Sequence, residues 1–285
     1  MKQFTVISGK GGTGKTTIVS NLAAYADNIV MADCDVDAPN MHLLLQPEIV
    51  ETEVYNGTKV AVKDEEKCVE CGKCQEVCRF GAIDDNYQIN PFKCDGCNVC
   101  VISCPQNALK LIEEKTGDIY ISKTKYGQMI HAKLKAAADN SGKLVSKVRT
   151  KAKDIAEKEQ KSFLLIDGSP GIGCPVIASL NGVDAAVIVT EPTKSGLSDL
   201  KRILKVTKHF NVKPYIIINK FDLNEGITNI IEEYSTDEKI EVLGKIPFDD
   251  KINKSLREGK LLIEEYNESK TAEEIMSIWN KLKKI

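Results

Sequence analysis

The chain has 285 residues, with 39 lysines and arginines against 41 aspartates and glutamates and a formal charge of −2. That balance gives no global argument for a nucleic acid or an acidic membrane surface as partner, and no run nears the ~18 consecutive apolar residues that cross a bilayer. Ten cysteines follow an opening, MKQFTVISGKGG, that has no apolar signal segment; a reducing, cytoplasmic setting is expected, with the cysteines as metal ligands and not disulfides.

From the N-terminus, FTVISGKGGTGKTTIVSNLAAYA predicts a short strand, a glycine loop and a helix with Ile18, Leu22 and Tyr25 on one face. NIVMADCD, SFLLIDGS, DAAVIVTEP and VKPYIIINKFD follow as apolar runs of strand length, and residues 197–209, 227–234 and 271–285 read as covering helices. Apolar strands alternating with helices imply an α/β fold, a mostly parallel sheet with helices on both faces. Between NIVMADCD and SFLLIDGS the character changes. Residues 59–112 hold eight cysteines in two units, Cys68 to Cys78 and Cys94 to Cys104, repeating every 26 residues. This duplication reads as a small α+β insert that divides the host domain into residues 1–58 and 113–285. After it come a strand at DIYISKT and a polar, lysine-rich helix after Asn140.

GKGGTGKT, Gly9 to Thr16, satisfies G-x-x-x-x-G-K-[ST] with a strand before it and a helix after it. Its glycines let backbone N–H groups close around phosphate, so Gly9, Lys10, Gly11, Gly12, Thr13, Gly14, Lys15, Thr16 and Thr17 form the predicted nucleotide contact. Lys15 is placed for the β/γ-phosphates and the Thr16 hydroxyl for Mg²⁺.

The second lysine, Lys10, makes the loop resemble the deviant Walker A loop of the family that includes the MinD and ParA ATPases, the Mrp-type cluster carriers and the nitrogenase iron protein. ADCDVDAPN (Ala32 to Asn40) and IDGSPGIG (Ile166 to Gly173) resemble that family's two switches. The resemblance implies ATP or ADP with Mg²⁺, a nucleotide-sandwich homodimer in which Lys10 reaches the partner's phosphates, Asp35 orienting the attacking water, and Asp167 supporting Mg²⁺ beside Thr16 and Asp35. Asp33 and Asp37 are open between solvated caps and members of the metal shell. INKFD and IPFDD resemble the adenine-side segments and implicate Asn219, Pro247 and Asp249.

The cysteines form C-x₂-C-x₂-C-x₃-C twice, the spacing of bacterial ferredoxins, in which the fourth cysteine of each run crosses to the other cluster. That resemblance assigns one [4Fe–4S] cluster to Cys68, Cys71, Cys74 and Cys104 and the other to Cys78, Cys94, Cys97 and Cys100. A pair of zinc sites is the alternative for paired C-x₂-C units. Proline follows Cys104, but Arg79 follows Cys78. A P-loop core interrupted by such an insert resembles the ferredoxin-inserted MinD/Mrp-type ATPases. It implies ATP hydrolysis coupled to electron transfer or to metal-cofactor assembly, with an unidentified redox or assembly protein as partner. The other reading is a MinD/ParA-like positioning ATPase acting as a dynamic scaffold. Its marker would be a membrane helix or a DNA-binding patch; TAEEIMSIWNKLKKI puts Ile275, Ile278, Trp279 and Leu282 on one face, and the expectation is that this face covers the sheet. The lysines of residues 140–153 read as a solvated face, and His42, His131 and His209 receive no ligand assignment. Cys174, in GIGCP seven residues after Asp167, stands outside the repeat, open between an additional redox or cluster ligand and packing of a glycine-rich turn.

Overall fold

The computed structural model describes residues 1–135 and 141–285. In chain order the first elements are β1 (Lys2–Ser8), α1 (Lys15–Ala24), β2 (Ile29–Asp33), α2 (Met41–Leu45), β3 (Glu48–Lys63), α3 (Lys73–Val77), α4 (Val99–Ser103), β4 (Leu109–Thr124) and β5 (Gly127–Leu134). Then follow α5 (Ser141–Lys158), β6 (Phe163–Pro170), α6 (Cys174–Leu180), β7 (Ala185–Thr190), α7 (Lys194–His209), β8 (Lys213–Asn219), α8 (Glu225–Asp237), β9 (Val242–Ile246), α9 (Asp250–Arg257), α10 (Leu262–Glu265) and α11 (Lys270–Leu282).

The chain divides into two units. The first comprises Met1–Thr52, Ile119–Lys133 and Ser141–Ile285; the second is Glu53–Asp118 with Leu134 and Lys135. The cysteine-bearing unit is thus wider than residues 59–112 and takes in most of β3. In the first unit the strand order is β3-β4-β5-β2-β6-β1-β7-β8-β9, with β3 and β4 entering it through residues 48–52 and 119–124. The pairs β1–β6, β1–β7, β2–β6, β2–β5, β7–β8 and β8–β9 are all parallel. Every residue of β2 and β7 is buried, as strands covered on both faces require.

Alternation along the strands sorts the two faces. Phe4, Val6, Met31, Val187 and Ile217 join one core with Ile18 and Leu22 of α1 and Ile275, Ile278, Trp279 and Leu282 of α11. Trp279 is 1% exposed and meets Phe163 edge-on at 5.2 Å. The C-terminal helix therefore spends the face of Ile275, Ile278, Trp279 and Leu282 on the sheet, and among the described residues no helix is long and apolar enough to cross a membrane. Helix α5 buries Leu144, Val145, Val148, Ala152 and Ala156, so its lysine-rich side is the outer one; Asn140 lies outside the described residues.

The second unit keeps the internal repeat in its backbone. Positive φ angles recur 26 residues apart at Glu70 and Gly96, Gly72 and Asn98, and Gly81 and Asn107. Cys68 N donates to Asp64 O at 3.1 Å, and Cys94 N to Asn90 O at 3.1 Å. The two halves also cross: Asp64 N donates to Ala108 O, and Asn90 N to Ala82 O.

Candidate nucleotide site and cysteine cavities

β1 lies between β6 and β7, and the chain order reverses around it, so the turn that leaves its carboxyl end opens on the crevice where such sheets bind ligands. Gly12 and Gly14 in that turn have φ of 79° and 83°, a conformation side chains resist. A Cβ on Gly14 would also meet Asn219 Nδ2 at 2.5 Å. That amide donates to Thr13 O at 2.8 Å, tying the loop to the end of β8.

Register then assembles the charges. Asp33 at the end of β2 pairs with Asp167 on β6, which pairs with Val6 on β1. Lys15, the first residue of α1, forms a buried ion pair with Asp167. Burial works to lower the Lys15 ammonium, but the charge and hydrogen bond of Asp167, with Asp35 and Asp33 behind it, hold it above the ordinary lysine value. Burial pushes the Asp33 carboxyl up, and Asp167 adds to it. Its oxygens accept from Asp35 N at 3.0 Å and Met41 N at 3.2 Å, so Asp33 fixes the turn that carries Asp35. Asp35 itself is raised by burial.

Around this turn lies a cavity of about 970 Å³. Gly11 to Thr17, Asp35, Asp37, Asn219, Pro247 and Asp249 line it, so most of the predicted nucleotide residues converge on one space. Gly9, Lys10 and Asp167 are not on its wall. Lys10 lies 3.6 Å from Glu191 and donates to Ser195 Oγ at 3.2 Å, while Lys220 holds the other Glu191 oxygen at 2.6 Å. Asp249 caps α9, accepting from Lys251 N and Thr271 Oγ1. Asp167 Oδ2 and Thr13 Oγ1 are buried without a hydrogen-bond partner among the described residues, the condition of groups that a bound ligand completes. Carboxylates beside the Thr16 hydroxyl are hard oxygen donors of the kind Mg²⁺ takes.

Several neighbours were not read from the sequence. Glu191 ends the DAAVIVTEP run, where a charge directly after a buried strand was the available signal. Leu43 and Leu44 of α2 and Ile252 and Asn253 of α9 complete the cavity; neither helix was predicted. Cys34, within the segment read as the first switch, does not line the cavity. It is wholly buried, its N–H donates to Asp167 O at 2.8 Å and its carbonyl accepts from Ser169 Oγ at 2.7 Å, and burial and Asp33 push its thiol far up. Cys174 opens α6 and is exposed. His131 and His42 stack at 6.0 Å, and His131 Nε2 bonds Ser122 Oγ at 3.0 Å.

In the second unit the cysteines are free of disulfides and fall four and four around two cavities. Cys68, Cys71, Cys74 and Cys104 frame one; Cys78, Cys94, Cys97 and Cys100 frame the other. Ala108 N donates to Cys104 Sγ at 3.3 Å and Ala61 N to Cys94 Sγ at 3.5 Å. Among the described residues no three His, Cys, Asp or Glu side chains converge as a single metal ion requires. Four cysteines framing each cavity are a donor set of the kind that a [4Fe–4S] cluster or a tetrahedral zinc takes.

A glycine turn at the end of the central parallel strand, a lysine at the following helix and aspartates on the adjoining strands define a P-loop nucleotide-binding fold. Residues 4–263 match the CobQ/CobB/MinD/ParA nucleotide binding domain. The chain belongs to that family and is an ATP-binding P-loop ATPase. An uncharacterized protein of Methanocaldococcus jannaschii is 35% identical over 99% of this chain and 96% of its own length. The iron-sulfur cluster carrier protein of Pyrococcus furiosus is 25% identical over 98% of this chain and 85% of its own. Pyruvate synthase subunit PorD of Methanothermobacter marburgensis is 38% identical over 52 residues, 18% of this chain and 64% of that one. In fold, the cell division ATPase MinD of Pyrococcus furiosus superposes with a TM-score of 0.61 at 19% identity, covering 99% of this chain and 98% of that one.

Proposed function

We propose that the protein is an ATP-dependent iron–sulfur protein in which a nucleotide switch controls electron transfer from, or delivery of, two [4Fe–4S] clusters. The observation that carries this reading is the sorting of eight cysteines, four and four, around two cavities on a chain whose other unit is an ATPase core. Likeness to an iron-sulfur cluster carrier protein supports it. Clusters in these cavities supply single-electron chemistry; the rest of the assignment concerns side chains of the ATPase unit.

On this reading Lys15 would leave Asp167 to neutralise the β/γ-phosphates, and Thr16, Asp35 and the freed Asp167 would hold Mg²⁺, which would supply charge neutralisation. Asp35 orients the attacking water. Lys10 leaves Glu191 to meet phosphate across a homodimer. Positioning and charge neutralisation are the work of these groups, because phosphoryl transfer asks for little covalent help. Two lysines parked on carboxylates, one on Asp167 and one on Glu191, give the nucleotide two ion pairs to exchange, and so a route to altering the second switch at Asp167 and the end of β7 at Glu191.

The test is anaerobic reconstitution with iron and sulfide counts and electron paramagnetic resonance, with and without MgATP. About eight iron and eight sulfide per chain and a spectrum that changes with hydrolysable ATP are expected. A protein that hydrolyses ATP and retains no iron would overturn the reading. Transfer of iron to an apo-acceptor distinguishes delivery from electron donation.

A further inference from the structure

The two cysteine cavities are built on one repeat, which makes them controls for each other. Most residues of their walls correspond at a spacing of 26, and the differences between the matched positions are chemical. Lys63 on one wall is matched by Ile89 on the other, Lys73 by Val99, Glu70 by Gly96, Val69 by Asp95, Tyr87 by Ala61, and Gln106 by Phe80.

The charged side chains on the first wall are two lysines and one glutamate, a formal +1; the second wall carries one aspartate, −1. Lys63 is the most enclosed of these cations. Its side chain is 6% exposed, whereas its ion-pair partner Glu65, 2.9 Å away, is 65% exposed and off the wall. Lys73 pairs with Glu76, which is also off the wall and 69% exposed. Water screens these exposed carboxylates more than it screens the Lys63 side chain on the wall. Backbone N–H groups donate to sulfur in both sites, Ala108 N to Cys104 Sγ in one and Ala61 N to Cys94 Sγ in the other.

A cluster that gains an electron gains negative charge. A cation and polar groups in its wall favour the reduced form, and a carboxylate within an apolar wall disfavours it. We propose, on the iron–sulfur reading above, that the site of Cys68, Cys71, Cys74 and Cys104 has the higher reduction potential of the two, and that Lys63 sets this order. One electron supplied by dithionite settles at the Lys63 site without making or breaking a bond. The second goes to the Asp95 site.

The experiment is a potentiometric titration of the reconstituted protein followed by electron paramagnetic resonance, on the wild type, Lys63→Met and Asp95→Asn. Two one-electron waves are expected, with the first electron favouring one site at least tenfold, 59 mV for a one-electron couple. Lys63→Met should lower the upper wave and leave the lower one in place; Asp95→Asn should raise the lower wave alone. A single wave, or a Lys63→Met protein that moves the lower wave or neither, overturns the proposal while iron counts of about eight keep the iron–sulfur reading standing. Absence of iron sinks both. Lys63→Met preserves the length and apolar stem of the side chain, and an unchanged iron count shows that the cavity is still formed.

Discussion

The two units put their chemistry on opposite kinds of support. The nucleotide cavity draws on residues as far apart as Gly11 and Asp249, held in place by a core that runs from Phe4 to Leu282. In the cysteine unit the buried apolar cluster is Ala61, Ile83, Cys100 and Leu109, and four of the side chains packed on it are themselves cysteines. Phe92 and Ile102 there are 88% and 78% exposed. One unit has a large apolar core apart from its cavity; the other has cysteines within its interior. A unit below ~70–80 residues rarely gains enough from its core alone, so on the proposed reading the bound clusters would be part of what keeps it folded.

The hardest test of this contrast is iron removal. Stripping iron anaerobically with a chelator should cost the amides of residues 53–118 on the order of 100-fold or more in hydrogen-exchange protection, while β1, β6 and β7 keep theirs. Equal loss in both units, or in neither, breaks the comparison. The reciprocal test is Lys15→Met. Removing one partner of a buried ion pair leaves the other uncompensated, at about 3–5 kcal/mol, and turnover should fall on the order of 100-fold or more with the phosphate charge unmet. Denaturant melts should show the loss in the nucleotide unit, and iron content should stay at the wild-type value.

How much was legible in the sequence follows the same division. The P-loop and the cysteine repeat are local patterns, and the residues that define them are close enough in sequence to be read together. The strands β1, β2, β6, β7 and β8 were legible because both faces of each are buried and each reads as an apolar run. β3, β5 and β9 were not. Glu48–Lys63 is an edge strand, largely exposed; Gly127–Leu134 carries His131 and Lys133 in its run; Val242–Ile246 is interrupted by glycine and lysine. Missing β5 hid the environment of His131, and missing α2 and α9 hid the far wall of the cavity. Asp33 and Cys34 show the limit most sharply. Both belong to the predicted first switch, yet strand register turns Asp33 toward backbone N–H groups and buries Cys34 away from the ligand, which a motif does not encode.

His131 gives a smaller effect that locates acid sensitivity in one unit. Burial, with His42 behind it, lowers its ring to about 4, against ~6.5 for an unfolded histidine. The unfolded chain thus takes up the proton first. Stability from the neutral ring is complete above pH ~6.5, declines as pH falls, and is fully lost below about 4, a total of about 3 kcal/mol. Ring resonances followed by NMR should give the low value directly, and His131→Gln, which keeps a polar partner for Ser122, should flatten the acid limb. A ring that titrates near 6.5 would show that the stack does not enclose it.

The smallest expected effect is at Cys174, and its smallness is informative. The eight repeat cysteines frame the two cavities and Cys34 is sealed inside the sheet, which leaves Cys174 as the exposed thiol outside both arrangements. A single adduct at Cys174 is therefore expected when the iron-loaded protein is alkylated briefly under anaerobic conditions and digested for mass spectrometry. Cys174→Ser should change stability by no more than ~0.5 kcal/mol, as surface substitutions do, and leave iron content and ATP turnover at wild-type values. Loss of iron in that variant would instead make the nucleotide unit a third holder of metal, and the separation of the two units by chemistry would fail at this residue, at the start of α6 just beyond the second switch.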